Sequence, residues 1–325
     1  MKKINHEIAF NFRLEVQRTM KKISLLGLTV LVITFLLTAG VSGNGESSLN
    51  QEYDLVGKRS IEPQFYHMER VIIIRADDGT RQSVEKYNLR LMVEVDEQSA
   101  GETAKYTCVE FTLQKDDGPE VAVPALKGWS HEVTRGKEID EQGQLFGIPN
   151  AKFQDLTDSN GDLLEPIIGY QVYDVFVGFH GFTVMAEPVE GGKGVQDLKK
   201  IGDKIIHDSA FSEISIGEGS TFKNGEVTLE FKGLSVVGGA TCAILHVDSG
   251  DSSFLMVFSH EGMEVKTVGG THYWSDIYLD LESKWVKKAE AIVVDIVKTT
   301  AGDQVLDTAV VETTNIIQAV EKDEF

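Results

Sequence analysis

Leu89-Arg90-Leu91-Met92-Val93-Glu94-Val95 puts Leu89, Leu91, Val93 and Val95 on one side of an extended chain and Arg90, Met92 and Glu94 on the other. This alternation with period two marks a strand with one buried and one wet face, the mark of antiparallel sheet. The pattern returns in Val227-Thr228-Leu229-Glu230-Phe231-Lys232 and in Ile277-Tyr278-Leu279-Asp280-Leu281-Glu282. Between such runs stand Asp77-Asp78-Gly79, Asp116-Asp117-Gly118, Lys223-Asn224-Gly225, Gly238-Gly239, Asp248-Ser249-Gly250 and Gly269-Gly270. Asp-Gly and Asn-Gly pairs supply the positive φ that tight hairpins need. Residues 68–135 and 220–320 each read as a meander. The expected fold is mainly β, with antiparallel meanders forming a curved sheet or half-barrel and a few short helices.

Two segments read as helical. Val195 to Asp208 sets Val195, Leu198, Ile201 and Ile205 on one stripe, interrupted by Gly202, and predicts a short amphipathic helix. Pro166 to Phe179 is apolar nearly all round. A proline at its start suits a buried helix, and a buried strand pair is the alternative.

The N-terminus runs from basic Met20-Lys21-Lys22 through the uncharged apolar stretch Ile23–Leu37 to small residues at 38–43. That order predicts a secretory signal cleaved after Ser42 or Gly43, with a retained anchor as the alternative. Residues 1–19 read as an over-extended start ahead of Met20. The expected organisation is a signal over 1–43, a flexible linker over 44–60, a first meander over 61–190, and a short helix with a second meander over 191–325. The two meanders form either separate units or one continuous domain.

The chain has 325 residues and a formal net charge of −20. Residues 1–43 hold six of its 31 basic and two of its 51 acidic residues, so the remainder carries 25 against 49, a net of −24. Such a surface repels nucleic-acid phosphates and anionic headgroups. Localisation is expected to be periplasmic or extracellular, with no membrane span once the signal is removed. Cys108 and Cys242 could pair in that oxidising setting or stay as two buried thiols. They sit in matching contexts. Thr107–Leu113 precedes Asp116-Asp117-Gly118, and Thr241–Val247 precedes Asp248-Ser249-Gly250. A duplication would match Val109, Phe111 and Leu113 to Ala243, Leu245 and Val247 on the inward face.

Candidate chemistry is sparse. Asp158, Asn160 and Asp162 alternate as in calcium loops, but Leu163 and Gly169 stand where an EF-hand needs its glycine and glutamate. The alternative is a turn rich in side-chain-to-backbone bonds. Calcium is the only cofactor these residues suggest. The histidines lack zinc spacing, residues 44–325 hold no G-x-S-x-G, and Gly191-Gly192-Lys193-Gly194 lacks Walker spacing. Tyr273, Trp274 and Tyr278 could line a ligand groove or pack laterally between strands.

Gly194–Asp203, Gly219–Leu229 and Ser275–Leu281 resemble uncharacterised secreted β-rich bacterial proteins. The resemblance covers the second half best and implies no catalytic residue. In outline the expected architecture is also similar to periplasmic lipoprotein carriers, whose curved antiparallel sheet cups a lipid chain. That likeness is one of fold alone.

Three functions follow as expectations. The first is an exported, non-catalytic envelope protein that binds a hydrophobic ligand or a protein partner. The second is a secreted hydrolase of unidentified chemistry. The third is an outer-membrane-associated structural protein, and for a membrane barrel the polar run Glu321–Glu324 is unsuited to a last strand. An open apolar groove would favour the first. A closed core touching Leu89, Leu91, Val93, Val227, Leu229 and Phe231 would rule out a ligand cradled on that sheet face.

Overall fold

The computed structural model describes residues 50–99, 102–217, 219–260, 263–302 and 304–325. The signal expected over 1–43 lies outside them. In chain order the strands are β1 (Gln64–Ala76), β2 (Arg81–Val95), β3 (Thr103–Lys115), β4 (Val121–Ala122), β5 (Ser130–Thr134), β6 (Lys204–Ile206), β7 (Glu213–Gly217), β8 (Ser220–Lys223), β9 (Thr228–Val237), β10 (Ala240–Asp248), β11 (Ser252–His260), β12 (Met263–Asp280), β13 (Val286–Ala301) and β14 (Gln304–Val320). One helix, α1 (Pro166–Thr183), lies between β5 and β6. The protein is mainly β, as its alternating stretches require.

The strands form one curved antiparallel sheet, ordered β4-β3-β2-β1-β14-β13-β12-β10-β9-β6. That order does not close on itself. The two meanders are therefore halves of a single sheet, joined where the first strand pairs with the last, from Phe65 opposite Val320 to Ala76 opposite Ala309. The long strand β12 forks. Its Trp274–Asp280 end pairs with β10 and its Met263–Thr271 end with β11.

Alternation sets what faces inward. On β2, Leu89, Leu91 and Val93 are buried, and so are Tyr66, Met68 and Ile72 on β1. Helix α1 fills the space above them. Its Phe176 stacks on Phe111 at 5.7 Å, and Phe179 meets Tyr66 edge-on at 5.3 Å. Pro166 in the first turn and an 18-residue run settle Pro166–Phe179 as helix rather than strand pair. Among the described residues no helix is long and apolar enough to cross a membrane.

Several local expectations change. The helix expected over 195–208 is a single 3-10 turn, Val195–Asp197, followed by β6. Asp203 ends it by accepting the N–H groups of Lys199 and Lys200, both at 2.7 Å, and Gly202 turns at φ +94°. The described part of the expected linker is docked: Leu55 and Arg59 are buried. Gly269-Gly270 is no turn but lies inside β12, because the Phe254 ring stands 2.5 Å from where a Cβ on Gly269 would be. Asn224-Gly225 and Ser249-Gly250 are not hairpin tips either. They interlock, with the Asp251 carbonyl 2.3 Å from where a Gly225 Cβ would sit.

The duplicate match also breaks. Arg90 faces Glu110 while Leu91 faces Cys108, so Val109 is an extra residue in β3. Such a bulge switches the faces of the residues that follow. Cys108 and Phe111 point inward and are buried, and Val109 does not join the core. In β10 the inward residues are Ala243, Leu245 and Val247. Cys242 therefore projects from the opposite face of the sheet to Cys108, and both are free thiols. Opposite faces explain why the disulfide is not formed.

Candidate functional site

The sheet's inner face is not an open groove. Leu89, Leu91, Val93, Val227, Leu229 and Phe231 are all at most 1% exposed and belong to one continuous core that includes α1. A hydrophobic ligand cradled on that face has no room there. The three aromatic candidates are likewise not one groove. Tyr273 points inward, its hydroxyl donating to Asn224 Oδ1 at 2.9 Å. Trp274 and Tyr278 lie on the outer face, where Trp274 meets His272 edge-on at 5.6 Å and Lys288 sits over the Tyr278 ring.

Asp158, Asn160 and Asp162 form a tight turn bridged by Thr157 and Leu163. Asp158 Oδ1 accepts the N–H groups of Asn160 at 2.8 Å and Asp162 at 3.0 Å, and Oδ2 accepts the Asn160 amide. Desolvation opposes ionisation, but these bonds prevail and hold the Asp158 carboxyl below its usual range. That is the side-chain-to-backbone chemistry of a turn. Among the described residues no group of three or more His, Cys, Asp or Glu side chains could hold a metal.

Polar side chains converge instead beside the C-terminal end of α1, around Glu187. Arg59 forms an ion pair with Glu187 and lies 4.2 Å from the centre of the Trp285 ring. Burial pulls the Arg59 guanidinium down, but Glu187 beside it prevails and holds it above its ordinary value. Tyr66 and Tyr106 share this region, and burial raises both phenols. The second carboxylate oxygen of Glu187 accepts the Gly136 N–H at 2.7 Å. Position 136 demands glycine twice over, with φ +70° and the Pro188 carbonyl 2.3 Å from a would-be Cβ.

Outside Glu187 opens a cleft of about 240 Å³. Val184, Val189 and Ile214 give it an apolar side, and Glu138, His207 and Asp208 a polar one. Burial raises the Glu138 carboxyl. Burial also lowers His207, against the opposing charge of Asp208. Ser209 sends both its N–H, at 3.2 Å, and its hydroxyl, at 2.8 Å, to His207 Nδ1. The other ring nitrogen is buried without a protein partner. His207 and Ser209, two residues apart, are joined by these bonds in a local turn.

In the core, His131 and His180 meet nitrogen to nitrogen, Nε2 to Nε2, at 2.7 Å. Burial holds His131 at about 3. Burial, then His131 and Arg59, keep His180 well below the imidazole range. In the unfolded chain both would titrate near about 6.5. The stability they confer is therefore complete above about pH 6.5 and is lost as pH falls towards about 3, by up to about 1.4 kcal/mol per pH unit for each ring. The urea midpoint of the wild type is expected to fall more steeply between pH 6.5 and 4.5 than that of His180→Gln. Equal slopes would show that His180 does not resist protonation.

Reasoning from sequence missed Arg59, Glu187 and His207. They come from three distant loops and carry no common spacing, and the one available signal was Arg59 within a stretch otherwise read as linker.

No protein-family model matches the chain, and no curated protein matches it. Among solved structures it is similar to lipovitellin, in a study of lipid–protein interactions in that protein, at 8% identity over 82% of this chain and 26% of that one, with a TM-score of 0.40. The chain thus spans about a quarter of the lipovitellin length. A mutant porin of Rh. blastica is similar at 7% identity over 80% of this chain and 100% of that one, with a TM-score of 0.21. A putative AttH from Nitrosomonas europaea is similar at 7% identity, covering 77% and 92%, with a TM-score of 0.17. At these scores the likenesses carry no argument about site or ligand.

Proposed function

We propose that this chain is an exported, non-catalytic binding protein of the periplasm or the extracellular space, and that a small amphiphilic ligand sits in the cleft over Glu187. The cleft carries this reading. Its roughly 240 Å³ pairs an apolar side at Val184, Val189 and Ile214 with a polar side at His207, Asp208 and Glu138. Small-molecule sites combine an apolar lining with a few fixed polar groups in this way. Glu187, held from behind by Arg59, forms a rigid floor, so the ligand meets a preorganised surface. Catalysis is disfavoured by the local turn that occupies the His207–Ser209 contact. Export rests on the basic, apolar and small-residue order of the N-terminus.

The test is extraction and mass spectrometry of the protein purified without detergent from its producing cell. A small molecule is expected to co-purify with the wild type and to be lost from Ile214→Trp, which fills the cleft, at an unchanged melting temperature. A molecule retained by Ile214→Trp, or none in the wild type, would refute the cleft as the ligand site.

A further inference from the structure

The outer face of the central strands carries a belt that is unusual for the wet side of a sheet. Register places its residues in rows. Trp274, Ile292, Thr314 and Val71 stand side by side on β12, β13, β14 and β1. The next row is His272, Val294, Glu312 and Ile73, and the next Gly270, Ile296, Val310 and Arg75. All point away from the core, because their strand neighbours Ser275, Ala291 and Ile72 are buried. Ile296 is 63% exposed and Ile292 37%. An antiparallel sheet with one solvated face places polar residues there, and a contiguous apolar patch marks an interaction surface. Farther along the same face the chain covers itself, with Phe325 packed on Phe65 and His67.

The belt has opposite charges at its two ends. On one side lie Asp276, beside His246 and Lys232, and Glu290, which shares its charge with Lys288 at 2.9 Å; on the other lies Lys298, in register opposite Val268. A two-fold axis along the His272–Val294–Glu312–Ile73 row would reverse the strands of a second copy while stacking each strand on its own counterpart. Ile292 then meets Ile296 of the other copy, Glu290 meets Lys298, and the Trp274 indole meets the bare backbone of Gly270. Glu312, which would face itself, is already paired with Arg75 at 3.2 Å. Four strands and five rows span about 19 Å by about 27 Å at sheet spacings. The resulting roughly 500 Å² per partner, about 1,000 Å² in total, lies at the lower bound for a specific interface.

We infer that the outer face of β12, β13, β14 and β1 is a self-complementary interface, and that its occupant is a second copy of this chain related by a two-fold axis. Such isologous surfaces bring every contact in twice, so the Glu290–Lys298 pair forms at both ends of the belt. The charge order also fixes the orientation. A two-fold axis along the strands would set acid on acid and base on base, which is costly.

Sedimentation velocity of the full chain at low salt tests this by charge exchange. The wild type is expected to dimerise. Glu290→Lys and Lys298→Glu are each expected to raise the dissociation constant by about tenfold or more. The double variant E290K/K298E is expected to return it to within about threefold of wild type, because reversing both ends rebuilds both pairs. Ile296→Asp, at a position already mostly exposed, should give a monomer with an unchanged melting temperature. A monomeric wild type overturns the inference, whether the belt then takes another protein or a lipid surface. So does a dimer indifferent to the single reversals, or single reversals that the double variant does not rescue.

Discussion

Replacing Arg59 by alanine is expected to lower the free energy of unfolding by about 3–5 kcal/mol, the usual cost of stripping one partner from a buried ion pair. The guanidinium is 4% exposed, pairs with Glu187 and covers the Trp285 ring. Its loss would leave the Glu187 carboxylate facing a cavity, held by the Gly136 N–H and the charge of Arg135. Arginine also packs through its stem, so part of the loss is contact area. The double variant Arg59→Met/Glu187→Leu should lie closer to wild type than Arg59→Ala, because it removes both members of the pair instead of stranding the Glu187 carboxylate. Urea unfolding of the three proteins measures both effects. A loss under about 1 kcal/mol for Arg59→Ala would place the pair among solvent-screened surface bridges.

Phe176→Ala should cost a similar amount, about 3–5 kcal/mol. The ring has no exposed surface. It stacks on Phe111 and meets Trp129 and Phe153 at 5.4 Å each, which ties α1 to β3 and to the 150–153 turn. The cavity would open at the centre of the core, where neighbours are held on all sides and collapse little. Phe176→Leu should recover more than half of the loss. A cost near that of a surface change would mean that α1 packs on the sheet far more loosely than these distances imply.

The sheet was legible in the sequence because one face of each strand must be dry. Leu89, Leu91, Val93, Leu229, Phe231 and Ile277 all fall where their alternation puts them. Asp77-Asp78-Gly79 was legible for a local reason too. Gly79 turns at φ +82° and Thr80 donates its N–H to Asp78. What failed depended on partners distant in sequence. Gly269 is a glycine because of Phe254, Gly225 because of the Asp251 carbonyl, and Val109 departs from alternation because of a bulge. The cleft belongs to the same class, since Glu138, Glu187 and His207 meet only through the fold. The pairing that joins the two meanders, β1 with β14, carries no local mark at all.

That pairing sets an order of events. Tyr66 lies beside Ala319, so β1 waits for nearly the whole chain before its neighbour exists. Closing so long a loop is entropically slow, and topologies dominated by such contacts fold slowly. A nascent chain emerging from the ribosome could form β1–β2–β3 early, yet one edge of β1 would stay unpaired until β14 emerged. Synthesis itself therefore keeps the sheet incomplete until β14 is made, which leaves a long interval in which the chain can still be threaded as an open polypeptide. The same interval exposes the unpaired edge of β1 to other chains, so aggregation during expression should depend on loss of β14 far more than on shortening any internal loop.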